Sequence, residues 1–261
     1  MILSVLGLAL SLAVTMQASV AWAGEVAIAA ASDLNFAFKE LIAEFEAKTG
    51  DRVKLSLGSS GNFFSQIQNG APYDLYFSAD VRYPERLIAS GHALSDSLYR
   101  YAVGRIVVWV PKTSPLPVET SGLHVMLDPA AKKIAIANPK HAPYGRAAVS
   151  AMEHEQIYEE VKSKLVLGEN ISQAAQFVES GAADVGVIAL SLALAPPMKA
   201  AGRYWEIPVE AHPPIEQGVV LLKGARQPAV AEKLLEFVKG SAGRAIMTRY
   251  GFVVPTLKEH P

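Results

Sequence analysis

The sequence contains no cysteine among its 261 residues. Disulfide frameworks, cysteine-ligated zinc sites and cysteine nucleophiles are therefore excluded. A basic excess is absent as well, because 24 Lys and Arg face 25 Asp and Glu, for a formal net charge of −1. Proteins that hold nucleic acid through its phosphates usually carry such an excess. We therefore expect no nucleic-acid partner.

The familiar catalytic and metal-binding motifs are also missing. The six histidines are scattered, and no H-E-x-x-H, G-x-S-x-G, Walker A or G-x-G-x-x-G pattern occurs. An enzyme would need a nucleophile beside a base, or a metal. We therefore expect a protein that is not an enzyme and has no cofactor and no metal-cation site. The content of 51% hydrophobic and 19% charged residues indicates a folded globular chain.

The first 23 residues contain no charged side chain. An apolar run over residues 2–14 precedes Ala21-Trp22-Ala23, which fits the small-residue pattern of a signal-peptide cleavage site. We predict a secretory signal peptide over residues 1–23, cleaved before Gly24, and an exported protein of the bacterial periplasm. No later segment approaches ~18 uninterrupted apolar residues, so no membrane-spanning segment is expected after it.

Beyond residue 23, strand-like apolar runs alternate with segments of helical periodicity. Val26–Ala31 is the first such run, and apolar residues between Leu34 and Phe45 recur on one helical face before Gly50. This alternation predicts an α/β fold with mostly parallel sheet flanked by helices. Clear strands are predicted at 26–31, 53–57, 74–77, 105–110, 133–137, 164–167, 184–190 and 218–222.

Four predicted strand-to-helix turns carry small or hydroxyl residues. They are Ala31-Ser32-Asp33, Ser59-Ser60-Gly61, Pro143-Tyr144-Gly145 and Asn170-Ile171-Ser172. Each turn offers unpaired N–H groups and the positive end of a helix dipole, and several such ends together can bind an anion without Lys or Arg. Hydroxyls of Ser32 and Ser60 would add donors. For any single turn, simple N-capping is the alternative, and Asp33 is interpreted as an acid favoured by the helix dipole.

Longer strings around these turns resemble the substrate-binding proteins of molybdate ABC transporters, which belong to the type II periplasmic binding protein family. The resemblance runs in order along the chain after residue 23. The strings are A-A-A-S-D-L at 29–34, F-E-A-K-T-G at 45–50, G-S-S-G at 58–61, Q-I-Q-N-G-A-P-Y-D-L-Y-F-S-A-D at 66–80, N-P-K-H-A-P-Y-G at 138–145, G-E-N-I-S-Q-A at 168–174 and R-Y-G-F at 249–252.

The resemblance implies a two-lobed fold that closes on a tetrahedral oxyanion. Residues 24–104 and 214–261 would form lobe 1, and residues 105–213 would form lobe 2. Two hinge segments would cross between the lobes, near Ala102–Arg105 and Pro213–Gly218. Proline-rich stretches that flank the middle third of the sequence fit this division.

The resemblance also implies which residues hold the ligand. The two serines fall on Ser32 and Ser60, and the two backbone N–H donors fall on Tyr144 and Ile171. The tyrosine of the family falls on Ala189, which has no hydroxyl. We expect the Tyr144 side chain to replace that donor and fill the gap, with a water molecule as the alternative.

The function implied is capture of molybdate, and of tungstate, with delivery to an ABC permease in the inner membrane by a monomeric protein. A site made only of donors favours a dianion that keeps no proton near neutral pH. Hydrogen phosphate would leave its O–H group unpaired in such a site. Sulfate, phosphate or an organic carboxylate remain alternative ligands of the same fold.

Overall fold

The computed structural model describes residues 23–255, and the predicted signal peptide lies outside this range except for Ala23. Two five-stranded sheets form the framework, and helices flank each of them. The strands are β1 Glu25–Ala31, β2 Arg52–Gly58, β3 Leu75–Ser78, β4 Tyr99–Gly104, β5 Ile106–Pro111, β6 Ile134–Ala137, β7 Leu165–Gly168, β8 Val185–Ala189, β9 Gly202–Glu206 and β10 Ile215–Leu221. The helices are α1 Asn35–Thr49, α2 Ser60–Gln68, α3 Arg82–Ala89, α4 Val118–Ser121, α5 Pro143–His154, α6 Tyr158–Val161, α7 Ile171–Glu179, α8 Leu190–Ala193, α9 Pro196–Ala201, α10 Pro228–Lys239 and α11 Ser241–Arg249.

The two sheets share one topology. The first has the strand order β2-β1-β3-β10-β4 and the second the order β7-β6-β8-β5-β9. In each sheet the first three strands are parallel, and the last two pairings are antiparallel. The α/β two-lobed fold is thus confirmed, with sheets that are mixed. The strand that runs against the others, β10 or β5, is in each case the one that enters from the other lobe.

The chain crosses between the sheets at two places. A single residue, Arg105, separates β4 from β5, and residues 207–214 lead from β9 back to β10. The guanidinium of Arg105, in the first crossing, forms an ion pair with Glu206, the last residue before the second crossing. This ion pair links the two crossings. The crossings divide the molecule into lobe 1, which is the first sheet with its helices, and lobe 2, which is the second sheet with its helices.

The longest helix, α1, illustrates how sequence pattern becomes packing. Its apolar face is buried against the first sheet, where the Phe38 and Phe77 rings meet edge to face at 4.9 Å. The helix ends at Gly50, whose φ of 76° lies in the left-handed region that glycine adopts most readily. Within residues 23–255, no helix has the length and apolar character needed to cross a membrane.

Candidate functional site

The four predicted turns meet at one small cavity between the lobes. It has a volume of about 10 Å³ and lies beyond the carboxyl ends of β1, β2, β6 and β7. Four of the predicted site residues contribute to its wall, namely Ser32, Ser60, Tyr144 and Ile171. The cavity volume is close to the volume that one bound water needs, so the cavity admits only a small ligand, and its walls must move apart to take a tetrahedral ion.

Ser32 joins the two lobes at the edge of this cavity. Its Oγ–H donates to Asn170 Oδ1 at 3.0 Å, and its Oγ accepts a hydrogen bond from the Ser172 N–H at 3.2 Å. The hydroxyl of Ser172 donates in turn to the Ser32 carbonyl at 2.8 Å. The alternative that Ser32 simply caps a helix does not hold, because Ser32 begins a 3-10 turn that precedes α1 and its side chain caps neither.

Ser60 is fully buried, and its neighbour Ser59 takes over the capping of α2. The Ser59 Oγ accepts from the Asn62 N–H at 3.4 Å, as an N-cap residue does. The Ser60 Oγ instead accepts from the Ala79 N–H at 2.9 Å. A hydroxyl that accepts one hydrogen bond still has its own hydrogen to donate, so Ser60 can serve the cavity as a donor.

Tyr144 and Ile171 lie in the first turns of α5 and α7. Their backbone N–H groups have no preceding intrahelical acceptor. Gly145 allows α5 to start this close to β6, since a Cβ there would lie 2.0 Å from the Ala137 carbonyl oxygen. Two amides and two positive helix ends therefore face the space that Ser32 and Ser60 border.

Ala189 stands apart from this group. It is the last residue of β8, is fully buried and pairs with Ile106 of β5. The next N–H along the chain, that of Leu190, donates to the Arg105 carbonyl at the lobe crossing. Ala189 is not part of the cavity wall.

The Tyr144 hydroxyl belongs to a buried hydrogen-bond network at the crossing. It donates to Asp33 Oδ2 at 2.9 Å and accepts from Gln217 Nε2 at 3.0 Å, and Gln217 Nε2 also donates to Asp33 Oδ2 at 2.7 Å. Tyr101 fixes the amide by donating to Gln217 Oε1 at 2.7 Å. The expectation that the Tyr144 hydroxyl replaces the tyrosine missing at position 189 is therefore not met, since its one hydrogen goes to Asp33.

Burial shapes the titration of this network. It raises the pKa of Asp33 from 3.8 to about 6, although the hydrogen bonds from Gln217 and Tyr144 act in the opposite direction. Burial and the neighbouring Asp33 charge raise the pKa of the Tyr144 hydroxyl well above its usual value. The phenol thus keeps its hydrogen at any physiological pH.

The residues of the cavity wall include one acid, Asp33, and neither Lys nor Arg. The attraction of the cavity for an anion rests on hydroxyl and amide donors and on helix dipoles. Among residues 23–255, no cluster of three or more His, Asp or Glu side chains is arranged to hold a metal ion.

A larger cavity of about 500 Å³ opens beside Asp80 and Arg146. Arg146 Nη2 of α5 lies 2.6 Å from Asp80 Oδ2 of lobe 1, so this ion pair also bridges the lobes. The space is far too large for a single tetrahedral oxyanion to contact its walls on all sides. We therefore assign the candidate site to the smaller cavity, where the helix ends converge.

A comparison with known families gives a match over residues 26–253 to the family model described as bacterial extracellular solute-binding protein. The chain belongs to this family. Two curated relatives of the solute-binding protein are the molybdate-binding proteins ModA of Azotobacter vinelandii and Rhodobacter capsulatus. The first is 39% identical over 246 residues, which cover 94% of this chain and 96% of the relative. The second is 38% identical over 231 residues, covering 88% and 89%.

A solved structure also resembles the solute-binding protein. It is the periplasmic molybdate-binding protein of Azotobacter vinelandii, with a TM-score of 0.83 and 34% identity. The match covers 88% of this chain and 100% of that one. The likeness extends over both lobes, and therefore over the cavity between them.

Several contacts within the solute-binding protein's site were not predicted from the sequence. Asn170 and Ser172 hold Ser32 across the cleft, and Gln217 and Tyr101 hold Asp33 and Tyr144 in place. One signal was present in the sequence, because Gln217 is a polar residue inside the apolar strand β10 and is fully buried. Buried polar side chains need partners, so Gln217 marks a network.

Proposed function

We propose that this solute-binding protein captures molybdate in the small cavity and delivers it to an ABC transporter. The observation that carries the proposal is the convergence of two serine hydroxyls and two helix-terminal amides on one small cavity whose wall contains neither Lys nor Arg. The 39% identity to a molybdate-binding protein over nearly the whole chain supports the same ligand. The chain is thus a transport component and not an enzyme.

Ser32, Ser60, Tyr144 and Ile171 are the proposed ligand contacts. Each would donate a hydrogen bond to an oxygen of the anion, with the serines acting through Oγ and the other two through backbone N–H. Ser32 would turn its hydroxyl hydrogen from Asn170 Oδ1 to the anion when the ligand binds. Ala189 is not proposed as a ligand contact, because it does not border the cavity. Hydrogen bonds to a charged group contribute about 1.5–3 kcal/mol each. Tungstate has the same shape and charge and would be bound by the same donors.

The proposed lobes are residues 24–104 with 214–261, and residues 105–213. Arg105 and residues 207–214 would form the hinge that lets the lobes open and close. Cross-lobe contacts of Ser32 with Asn170 and of Asp80 with Arg146 support a closed arrangement around the site. An anion that contacts both lobes would favour that closed state.

The proposed setting is the periplasm. Residues 1–23 would direct export, and the mature protein would act as a monomer that docks on a permease of the inner membrane. The A-x-A pattern at Ala21–Ala23 supports cleavage before Gly24. Sequencing the N-terminus of the exported protein would show Gly24-Glu25-Val26, and an uncleaved chain in the cytoplasm would contradict export.

A thermal-shift panel tests the proposed ligand. Molybdate, tungstate, sulfate and phosphate are added at equal concentration to the mature protein. Ligand at about a hundredfold over its dissociation constant stabilises a protein by roughly 2.7 kcal/mol. Molybdate and tungstate should raise the melting temperature most. A larger shift with sulfate or phosphate, or none with molybdate, would contradict the proposal.

A further inference from the structure

Asp33 presents a contradiction within the proposed anion site. Asp33 is 1% exposed and belongs to the cavity wall, directly after the proposed ligand residue Ser32. An ionised carboxylate at this place would repel a dianion. No Lys, Arg or His of residues 23–255 forms a hydrogen bond or ion pair with it, so no cation offsets the charge. An unpaired buried charge beside a second charge is unfavourable.

The two oxygens of Asp33 have different surroundings. Oδ2 accepts hydrogen bonds from the Tyr144 hydroxyl and the Gln217 amide. Oδ1 is buried and has no partner anywhere in residues 23–255. Buried polar atoms without partners are rare. A proton on this carboxyl would therefore sit on Oδ1, because Oδ2 already accepts two donors.

We propose that Asp33 is protonated in the ligand-bound protein and donates its Oδ1–H to an oxygen of the anion, so that one proton is taken up with each molybdate bound. The inference rests on the proposed function and adds a specific residue and a proton to it. The proton comes from the solvent, and no covalent bond to the anion forms. Asp33 would thus supply a fifth donor to the site.

The groups that face Asp33 agree with a neutral carboxyl. Tyr144 of α5 contacts Asp33 directly, and Tyr101 of β4 contacts it through the side chain of Gln217 on β10. Both phenols remain uncharged, because burial raises their pKa well above the usual value. Ser191 of α8 donates to the Asp33 carbonyl at 2.7 Å. Burial raises the pKa of the Asp33 carboxyl to about 6, and a dianion beside it would raise that pKa further.

Proton uptake predicts a specific pH dependence. Below pH 6 the free protein already carries the proton, and affinity is nearly constant. Above pH 6 the proton must be added on binding, and affinity falls by about tenfold per pH unit. Between pH 5.5 and 7.5 the affinity for molybdate should therefore fall by roughly twentyfold.

Calorimetric titration with molybdate in buffers of different ionisation enthalpy measures the proton count directly. We expect about one proton per molybdate at pH 7.5 and about a quarter of a proton at pH 5.5. Binding of molybdate without proton uptake at pH 7.5 would overturn the inference and leave the proposed function intact. Absence of molybdate binding at both pH values would instead overturn the proposed function.

Asp33→Asn provides the matched variant. Asn keeps an oxygen that accepts from Tyr144 and Gln217, and it places an N–H donor at the Oδ1 position. We expect this variant to bind molybdate without proton uptake and with less than a threefold change in affinity between pH 5.5 and 7.5. Asp96→Asn removes an exposed carboxylate and should behave like the wild type. If Asp33→Asn keeps the pH dependence of the wild type, the inference is wrong. If Asp33→Asn does not fold, the wild type decides alone, and binding without proton uptake by the wild type overturns the inference.

Discussion

The Ser60 hydroxyl accepts a hydrogen bond from the Ala79 N–H at 2.9 Å, across the ends of β2 and β3, which lie on either side of β1 in the sheet. This contact occupies an acceptor position of the oxygen and leaves the hydroxyl hydrogen for another partner. Ser59, not Ser60, caps α2. The structure thus separates the serine that stabilises the helix from the serine that faces the cavity as a donor.

Ser32→Ala and Ser60→Ala should each weaken molybdate binding by roughly 1.5–3 kcal/mol, the range for a hydrogen bond to a charged group. Ser65→Ala is a matched control, because Ser65 is an exposed serine on the same helix as Ser60. Titration calorimetry of the three variants measures the difference. If all three variants bind molybdate with the same affinity, the anion does not bind at Ser32 and Ser60.

Arg146→Gln should weaken molybdate binding by about 1.4- to fivefold. The pair that it removes bridges the lobes and is partly exposed, and such pairs contribute about 0.2–1 kcal/mol. Burial alone would raise the pKa of Asp80, but Arg82 and Arg146 lower it, so the pair is intact at neutral pH and is lost in acid.

Arg82→Gln is the control for this prediction. Arg82 contacts the same Asp80 carboxylate but lies in lobe 1, so its loss leaves the cross-lobe link in place. We expect this variant to bind molybdate like the wild type. Equal weakening in both variants would show that Asp80 acts within its own lobe rather than between the lobes.

Gly104→Ala should damage the network at the lobe crossing. A Cβ there would lie 2.2 Å from the Tyr144 hydroxyl and 2.8 Å from Gln217 Nε2, so both side chains must shift. Overpacking of this kind typically costs about 1–3 kcal/mol of stability. Gly224→Ala, where a Cβ meets nothing within 4 Å, is the control. Chemical denaturation measures both, and an unchanged Gly104→Ala midpoint would contradict the tight packing of the crossing.

Asp33→Asn should change stability in a pH-dependent way even without ligand. Because burial raises the Asp33 pKa from 3.8 to about 6, the folded protein holds this proton more tightly than the unfolded chain. The resulting stabilisation is complete below the unfolded pKa and is lost as pH rises through the folded one. Two pKa units correspond to roughly 3 kcal/mol.

The free energy of unfolding of the wild type should therefore fall relative to that of Asp33→Asn between pH 4 and pH 7. Denaturant titrations at several pH values measure this difference. Parallel curves for the two proteins over that range would mean that Asp33 titrates alike in the folded and unfolded states.

The strands that carry the site were predictable, because parallel strands buried on both faces are continuous apolar runs. The four turns followed from them, and with the turns the positions of Ser32 and Ser60. Strands β4 and β9 escaped prediction. Both lie at sheet edges and mix polar with apolar residues, and every residue of β9 is only partly buried.

The network around Asp33 could not be predicted from local pattern. Its partners Tyr144 and Gln217 are 111 and 184 residues away in the sequence, on different elements. In the sequence Asp33 has the same appearance as an ordinary acid in a first helical turn. Only the approach of the two lobes reveals that its carboxyl is buried and faces no cation.

The position of the anion is tested most directly by a crystal structure of the mature protein with tungstate, located by its anomalous scattering. We expect one tungsten peak in the small cavity, with its oxygens within about 3.2 Å of the hydroxyls of Ser32 and Ser60 and the backbone N–H groups of Tyr144 and Ile171. A peak in the larger cavity beside Arg146, or none between the lobes, would contradict the assignment of the site.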